Sequence, residues 1–452
     1  MDMQRDSLDF KSMSVEKLFT KLLVPTIMGM AASALFTVVD GIFVGNGIGS
    51  DAMAAVNISA PIFMIITGVG LMFGMGGGIL TSINLSQGKK KVANINFTQS
   101  VIALVFISLV MTLLLTIFPH KIATLFGSDE YLMDMVVEYL FWFSISLPFT
   151  VLVVALPFFI RLTNPKISMW AMLAATVVNI ILDYLFIFVF KWGLFGAAIA
   201  TDIGEFVGAA IMIIYLFRHS IAIRFVWLKL SVKSLLLTLR NVGYMIKLGF
   251  SVFLSEITIS VMIISGNYVF MDYMGADGVA AYSVICYLFP IIFMVFNATV
   301  QSAQPIISYN YGCGQMKRSD NALRLSMLFT LAFAFSIMLL FICFTRSIVT
   351  LFIPDTASAA WGYAVAGLPL FATDYLFFGI NIIIIGYYTS IERLRRAISL
   401  TVLRGILPVV FFFTLPLLLD VNGIWLAVAA GDITTTVVIV ILLIVDKVRK
   451  NG

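Results

Sequence analysis

The sequence predicts an all-α polytopic membrane protein in which twelve transmembrane helices form two parallel six-helix repeats. Three observations predict this fold: a very apolar composition, twelve long apolar runs and an internal repeat. Of the 452 residues, 61% are apolar and 11% are charged, and the mean hydropathy is +1.07, far above that of soluble domains. Lipid offers the backbone no hydrogen-bonding partner and the runs lack the alternation of barrel strands, so they are expected to be helices.

Each of the twelve apolar runs is long enough to cross about 30 Å of hydrocarbon, which takes a helix of about 20 residues. Short polar segments separate the runs. In order along the chain, they lie at 20–46, 54–86, 95–118, 131–158, 166–190, 194–217, 245–271, 279–309, 323–344, 358–388, 397–418 and 422–446. The chain is therefore expected to cross the lipid bilayer many times.

The distribution of basic residues predicts the orientation of these helices. With a cytoplasmic N-terminus, the predicted cytoplasmic segments contain 24 of the 28 Lys and Arg residues. The predicted outer loops contain only Lys121, Lys191 and Arg346, and Arg404 lies within a helix. Cytoplasmic loops are usually rich in Lys and Arg, so both termini are expected in the cytoplasm. The net charge of +5 follows from this pattern and does not predict nucleic-acid binding.

An internal repeat divides the chain into two halves. A shift of 226 residues aligns identical residues in the early part of each half, and a shift of 230 does so in the later part. The aligned pairs include Lys21 and Lys247, Gly49 and Gly275, Asp51 and Asp277, Asn84 and Asn310, and Asp202 and Asp432. Because each repeat has six helices, both copies start on the same side of the membrane, as in many secondary transporters. The predicted organisation is an N-terminal lobe over 1–217, a cytoplasmic linker over 218–244 and a C-terminal lobe over 245–452.

Three carboxylates of the first lobe are predicted to lie at one depth in the membrane. A charge at mid-membrane costs at least about 2.5 kcal/mol, so acidic residues within apolar helices mark functional positions. With a rise of about 1.5 Å per residue, Asp40, Asp183 and Asp202 lie about 9 to 12 Å from the outer ends of their helices. Asn179 lies one turn before Asp183 on the same helical face, and Thr201 adds a hydroxyl. These oxygens predict a site that binds Na⁺ or a proton.

The repeat allows a comparison of this site with the second half. The matching positions there are apolar: Asp40 matches Gly266, Asn179 matches Val409 and Asp183 matches Phe413. Asp202 recurs as Asp432, which favours a structural role for that pair. The alternative for each of these acids is a hydrogen bond to a neighbouring helix that stabilises packing alone.

Two further acids and one proline are candidate functional residues. Glu256 and Asp374 lie near the middle of their helices and are candidates for binding a cationic substrate, with packing as the alternative. Pro25 lies fifteen residues before Asp40 and is a candidate hinge at which the first helix bends. The alternative is that Pro25 simply starts the helix.

The motifs of common enzymes and ATPases are missing from the sequence. It contains no Walker A motif and no GxSxG elbow, and its two histidines, His120 and His219, are predicted to lie in loops. The glycines at every fourth position of GVGLMFGMGGG predict close helix packing rather than phosphate binding. The three cysteines lack the spacing of a metal site. The chain is therefore not predicted to be an enzyme, to bind a cofactor other than a coupling ion, or to need an ATPase subunit.

Four stretches of the sequence resemble the multidrug and toxic compound extrusion (MATE) family, most of all its MepA-type bacterial branch. They are VPTIMGMAASALFTVVDGIFVG, GSDAMAAV, NIILDYLFIF and GLFGAAIAT, and the resemblance extends over essentially the whole chain. It implies an antiporter of the bacterial plasma membrane that exports cationic, amphipathic drugs or toxic compounds in exchange for Na⁺ or H⁺. It also implies alternating access by a rocker-switch movement, and we expect a monomer.

The resemblance implies roles for individual residues as well. In related members, the coupling site of the first lobe uses the positions that match Asp40, Asn179, Asp183 and Thr201. A bend of the first helix has been proposed at the proline that matches Pro25. Asp202 departs from the small or apolar residue expected at its position. Some members carry a coupling glutamate and aspartate about one turn after the positions of Glu256 and Asp374.

Two other functions stay open on the sequence alone. A flippase for a lipid-linked precursor would need basic residues in a central cavity, whereas the intramembrane charges here are acidic. A membrane enzyme or a channel would need a catalytic motif or a repeated filter, and the sequence contains neither.

Overall fold

The computed structural model describes residues 8–126, 128, 130–220, 222–229 and 231–451, which form helices joined by short connections. The helices are α1 (Val15–Gly47), α2 (Ser50–Ser86), α3 (Lys90–Ile117), α4 (Pro119–Leu125), α5 (Met133–Ile145), α6 (Leu147–Ile160), α7 (Pro165–Asp183), α8 (Gly193–Arg218), α9 (Val232–Gly312), α10 (Met316–Cys343), α11 (Thr345–Phe352), α12 (Ala359–Ala372), α13 (Asp374–Ser390), α14 (Leu394–Thr414) and α15 (Pro416–Asn451). A π-helical turn, Tyr184–Val189, continues α7. These ranges contain no β-strand, which agrees with the predicted all-α class.

Twelve membrane spans follow from these helices. Nine helices in the described ranges are each long and apolar enough to cross a membrane. Two bent pairs, α5 with α6 and α12 with α13, turn by 56° and 40° and supply one span each. Helix α9 has 81 residues, about 120 Å if straight, and is interrupted at Gly275, where φ is 63° and ψ is −155°. It therefore supplies two spans, and the total confirms the predicted number.

The structure differs from the predicted spans at several ends and bends. The fourth and tenth spans, predicted as continuous helices, bend at Ser146 and Thr373. Helix α9 already begins at Val232, so the second part of the predicted linker is helical. Helix α1 begins at Val15 because the Ser14 hydroxyl accepts a hydrogen bond from the Lys17 amide at 3.4 Å and so caps the helix.

This early start places Pro25 inside α1, where it is buried. The alternative of a helix-start proline is therefore wrong. A proline at an interior position has no N–H to donate to the carbonyl four residues earlier, which weakens the helix at that turn.

Contacts within the chain divide the described residues into two units. The first comprises the residues up to Phe253 together with Gln304–Ser319, and the second comprises Leu254–Ala303 and the residues from Asp320 onward. Both ends of α9 thus belong to the first unit and its middle belongs to the second. The lobe boundaries that the repeat predicts stay a prediction.

Glycines bring helices of the first unit close together. Gly74 of α2 lies against Ala155 and Phe158 of α6, and Gly78 lies against Phe158 as well. A Cβ atom on Gly74 would lie 3.0 Å from the Ala155 Cα, so only a glycine permits this approach. The predicted packing role of the glycine series is confirmed.

Helix α2 also touches the beginning of α9 through main-chain atoms. A Cβ atom on Gly249 of α9 would overlap the main chain of Met72 in α2. One turn further along α2, a Cβ atom on Gly76 would overlap the carbonyl group of Met245. The two helices are therefore in direct backbone contact.

Residues 8–14, which we call the N-terminal arm, are fixed to the far end of α9 within the first unit. The buried Phe10 ring stacks on Tyr309, with centroids 5.3 Å apart. Arg318 donates from Nη2 to the carbonyl oxygens of Phe10 at 3.0 Å and Met13 at 2.6 Å. Its Nε donates to Asn310 Oδ1 at 2.9 Å. Two hydrogen bonds of one guanidinium thus hold the arm, and the third fixes the guanidinium to the end of α9.

Candidate functional site

The first unit contains a pair of interacting carboxylates. Asp183 is the last residue of α7 and is 0% exposed, and the π-helical turn begins at the next residue. Asp40 of α1 is half-buried and interacts directly with Asp183. Within the described part of the chain, neither oxygen of Asp183 nor Oδ1 of Asp40 has a hydrogen-bond partner. Two such carboxylates repel each other strongly unless a cation or a proton binds between them.

An amide and a hydroxyl accompany this pair. Asn179 is 1% exposed, and its side-chain amide lies beside the Asp183 carboxylate and interacts with it. Helices α7 and α8 pack closely there because a Cβ atom on Gly204 would lie only 3.1 Å from the Asn179 Cβ. Thr201, one turn before Gly204, is buried and lines the same cavity as Asn179. One amide and one hydroxyl thus line the same cavity of the first unit.

Tyr139 of α5 lies near Asp40, Asp183 and Asp202 at once. Asp202 is half-buried and adjacent to Ser146, the residue at the bend between α5 and α6. The hydroxyl of Ser146 at the bend thus lies beside Asp202 of α8, and the Tyr139 phenol lies within the electrostatic range of the acids of α1, α7 and α8. Sequence reasoning missed Tyr139, because a tyrosine in an apolar helix carries no motif and the bend is not visible in the hydropathy.

A cavity of about 170 Å³ lies in this part of the first unit. Its polar lining consists of Ser33, Thr37, Thr67, Thr150, Thr176, Asn179, Thr201 and Glu205. Glu205 Oε2 is buried without a hydrogen-bond partner in the described residues, and its carboxylate interacts with that of Asp202. Drug-sized molecules occupy pockets of about 300 to 1,000 Å³. The cavity in this conformation has room for an ion with a few water molecules.

The predicted site residues of the first half are thus brought together, with one exception. Asp183 interacts with Asp40 and Asn179, Asp202 lies with them within the electrostatic range of Tyr139, and Thr201 lines the cavity together with Asn179. Pro25 lies about 22 Å from Asp40 along α1 and outside this cluster. In the described residues, no three His, Cys, Asp or Glu side chains converge as a metal site, so a cation would need the amide and hydroxyl oxygens as well.

The acidic residues of the second unit surround an arginine. Glu256 of α9 is half-buried and faces Arg404 of α14. Asp374, the first residue of α13, is 0% exposed and interacts with Asp432 of α15. Arg404 Nε lies 3.4 Å from Asp432 Oδ1. In this conformation Asp374 is fully buried and interacts with Asp432 and Arg404, and sequence reasoning missed the pairing of Arg404.

The repeat partners Asp202 and Asp432 have different surroundings. Asp432 accepts a hydrogen bond from Asn381 Nδ2 at 2.7 Å and pairs with Arg404, whereas Asp202 is adjacent to Ser146 and Glu205. The repeat favours a shared structural role for Asp202 and Asp432, but the two residues make different contacts.

The comparisons with known proteins point to one family. The sequence model of the MatE family matches residues 25–185 and 251–414. The two matches begin 226 residues apart, which is the shift of the internal repeat.

Relatives and solved structures are similar over nearly the whole chain. The multidrug export protein MepA of Staphylococcus saprophyticus is 28% identical over 419 residues, which cover 92% of this chain and 90% of the relative. The multidrug export protein MepA of Staphylococcus aureus strain MRSA252 is 25% identical with the same coverage. A crystal structure of a MATE in complex with MaL6 has a TM-score of 0.86 at 19% identity and covers 94% of this chain and 95% of that chain. The predicted twelve-helix fold is confirmed.

Proposed function

The chain belongs to the MatE family, and we propose that it is an antiporter that exports cationic, amphipathic drugs or toxic compounds in exchange for Na⁺ or H⁺. Its relatives are named as exporters and not as enzymes. This agrees with the lack of common enzyme motifs in the sequence. The observation that carries the proposal is the interaction of the half-buried Asp40 carboxylate with the buried Asp183 carboxylate, in an apolar interior where neither acid pairs with a basic residue among the described salt bridges. A coupling ion is the class of ligand that would satisfy them.

Both candidate ions suit the groups around this pair. Na⁺ is a hard cation that prefers oxygen ligands, and the two carboxylates, the Asn179 carbonyl and the Thr201 hydroxyl are oxygens. A proton neutralises one carboxylate, which then donates a hydrogen bond to the other. In either case, ion binding removes negative charge from the interior of the first unit.

Two neighbouring residues support the pair in this proposal. The Tyr139 hydroxyl is a donor that stabilises the carboxylate left ionised after a proton binds. Asp202 adds a third negative charge, which strengthens the attraction of a cation to the site. The extra carboxylate at this position therefore favours tight binding of the coupling ion.

The charge of the site links ion movement to substrate export. When the ion leaves, the exposed negative charge attracts a cationic substrate, and when the ion returns, that attraction is lost. The ion and the cationic substrate therefore occupy the transporter in turn. In the second unit, we assign the attraction of the cationic substrate to the half-buried Glu256. Asp374 is fully buried, so it can take the same role only after a movement that exposes it.

The movement we propose is a rocker switch of the two predicted lobes. Parallel repeats of this kind generally enclose a substrate site and expose it to alternate sides of the membrane. Pro25 weakens one turn of α1, so this helix can bend there when Asp40 changes its charge. The transporter works as a monomer in the bacterial plasma membrane, with both termini in the cytoplasm.

Dye efflux from proteoliposomes tests this function. Purified protein is reconstituted, a cationic dye is loaded, and a Na⁺ gradient or a pH gradient is imposed separately. The wild type and the control Asp277→Asn, a change at an exposed carboxylate, should export dye under one of the two gradients. Asp40→Asn should fold and export none. If neither gradient moves dye in the wild type, the proposal is wrong and a lipid-linked substrate becomes the better candidate.

A further inference from the structure

The beginning of α9, within the first unit, turns its polar side towards the protein. Gln99 of α3 donates from Nε2 to Thr238 Oγ1 at 2.8 Å. Asn241 donates from Nδ2 to Asn96 Oδ1 at 2.9 Å and to Gln99 Oε1 at 2.6 Å. A helix on the surface of a soluble protein has the opposite arrangement, with its apolar side inward. This part of α9 is therefore suited to a surrounding of lipid.

The outer side of the same stretch is apolar. Five large side chains there are each more than half exposed: Val232, Leu235, Leu236, Leu237 and Leu239. Exposed apolar side chains in such number mark contact with a partner or with a membrane. Because the helix continues directly into the predicted seventh span, 245–271, the lipid bilayer is the surrounding that covers them.

The segment just before α9 is fixed to α3 as well. The Arg224 amide donates to Asn94 Oδ1 at 3.1 Å, and the Val226 amide donates to Thr98 Oγ1 at 3.1 Å. The side chain of the next residue, Trp227, is fully exposed. Tryptophan is enriched at the boundary between lipid and water. The main chain is thus held on the protein while this ring points to the membrane boundary.

This part of the chain is also uniformly basic. The sequence contains no acidic residue over 206–255, whereas six Lys or Arg residues lie there. Three of them, Lys233, Arg240 and Lys247, are exposed and seven residues apart. Residues seven apart in a helix differ by only about 20° in direction, so these three cations follow one side of α9. Such a row of cations at a membrane surface attracts anionic lipid headgroups.

A cavity of about 710 Å³ lies along this basic side. The described residues that line it all belong to α9, and the polar ones are Arg240, Asn241, Tyr244 and Lys247. Two leucines and a glycine complete the lining. The cavity lies where the predicted seventh span begins, which is the depth of the lipid headgroups. Its two cations repel the cationic substrates of the proposed antiport, so the cavity suits an anion instead.

Contacts on both sides of this cavity fix the helix that carries the two cations. The bonds of Asn241 hold it to α3, and the main-chain contacts of Met245 and Gly249 hold it to α2. Among the described salt bridges, none involves Arg240 or Lys247. The helix is therefore rigid, and the two cations are available to an anion from outside the protein.

We propose that this cavity binds the headgroup of an anionic phospholipid from the leaflet on the predicted cytoplasmic side. Arg240 and Lys247 lie two helical turns apart, about 10.5 Å along the axis, and their long side chains bind the phosphate between them. Tyr244 contributes its hydroxyl, and the acyl chains lie along the exposed leucines. A zwitterionic phospholipid binds less well, because its amine is repelled by the same two cations. Lipid binding does not depend on the proposed antiport.

Native mass spectrometry of the full-length protein tests the inference. Phosphatidylglycerol or phosphatidylcholine is added to the protein in detergent, and the dissociation constant of the first bound lipid is measured. The wild type should bind phosphatidylglycerol more tightly. The double variant Arg240→Gln with Lys247→Gln should weaken this binding about fivefold for each cation removed. The control, Lys90→Gln with Lys91→Gln, removes two exposed cations outside the cavity and should bind as the wild type does. Equal affinity of the two double variants would overturn the inference.

A variant that keeps every charge tests the cavity itself and serves if the double variant does not fold. A Cβ atom on Gly243 would have no atom within 4 Å, so Gly243→Phe places a ring in open space inside the lining. Phosphatidylglycerol should bind this variant more weakly, and wild-type affinity would show that the lipid binds elsewhere.

Glycerol phosphate separates a lipid from a soluble phosphate compound. It carries the same phosphate without acyl chains, and an excess of it over the lipid should leave phosphatidylglycerol bound. Displacement of the lipid would overturn the assignment, because the cavity would then be a site for a soluble phosphate.

Discussion

The carboxylate of Asp183 at the end of α7 meets the carboxylate of Asp40 from α1, and neither oxygen of Asp183 has a hydrogen-bond partner in the described part of the chain. Such a contact between two acids is unfavourable in an apolar surrounding without a third, positively charged participant. The adjacent Asn179 amide interacts with Asp183 but carries no charge to neutralise the pair. The central claim is therefore that this group of side chains binds the coupling ion.

Tyr139→Phe should weaken coupled transport without abolishing it. The change removes the hydroxyl that lies near three carboxylates and keeps the ring. The hydrogen bond that we propose from this hydroxyl to an ionised carboxylate would contribute about 1.5–3 kcal/mol, so the half-saturating concentration of the coupling ion should change about tenfold or more. The measurement is dye efflux as a function of ion concentration. The control is Tyr268→Phe at an exposed position, and equal ion dependence in both variants would argue against a role for Tyr139.

Gly249→Ala should destabilise the protein by about 1–3 kcal/mol. The added methyl group would overlap the main chain of Met72, which cannot move as a flexible side chain does. Gly243→Ala, in the same helix, is the matched control because no atom lies within 4 Å of its Cβ position. This control should be neutral or stabilising by up to about 1 kcal/mol. The measurement is thermal unfolding in detergent, and similar unfolding temperatures for the two variants would contradict the backbone contact.

Arg318→Gln should release the N-terminal arm. The variant loses the guanidinium that donates to the carbonyl oxygens of Phe10 and Met13, and each such bond contributes about 1.5–3 kcal/mol. Amide hydrogen exchange of residues 8–14 should become faster. Lys317→Gln, at the exposed neighbouring position, should leave this exchange unchanged. Equal protection of the arm in wild type and Arg318→Gln would show that other contacts hold it.

The turn of the arm should lose order only at acidic pH. Hydrogen bonds from the Ser12 hydroxyl, the Ser12 amide and the Lys11 amide lower the pKa of Asp9 below its ordinary value of 3.8. A lowered pKa means that the stabilisation is present above pH 3.8 and is lost as the pH falls through the pKa of the folded state. Exchange of the Lys11 and Ser12 amides in wild type and Asp9→Asn should therefore converge only below that pH. Convergence near neutral pH would contradict this arrangement.

Much of the fold was predictable from the sequence because its signals are local and repeated. Hydropathy predicts the spans, and the shift that places Gly49 on Gly275 predicts the duplication, which the two family matches also show. The bends at Ser146 and Thr373 were not predicted, because both positions lie within apolar runs that continue without interruption. Hydropathy shows which residues lie in the membrane but not whether the helix axis bends there.

The sequence predicts those site residues whose charge is unfavourable within a membrane. It does not predict uncharged site residues, or which charged residues pair with each other. Asp40 and Asp183 are recognisable because a carboxylate within a membrane span is costly and therefore marks a functional position. Tyr139 gives no such signal. Arg404 does carry a charge, yet its pairing with Asp432 depends on the packing of α14 against α15, which no sequence spacing reveals.

The most direct test of the central claim is the ion movement that accompanies the substrate. Proteoliposomes without an imposed gradient receive a cationic substrate on one side, and radioactive sodium and internal pH are followed together. In the wild type, the account predicts that one of the two ions moves opposite to the substrate, and that folded Asp183→Asn moves neither. Ion movement of wild-type size in Asp183→Asn would contradict the account, because the Asp40–Asp183 pair would then not be the coupling site.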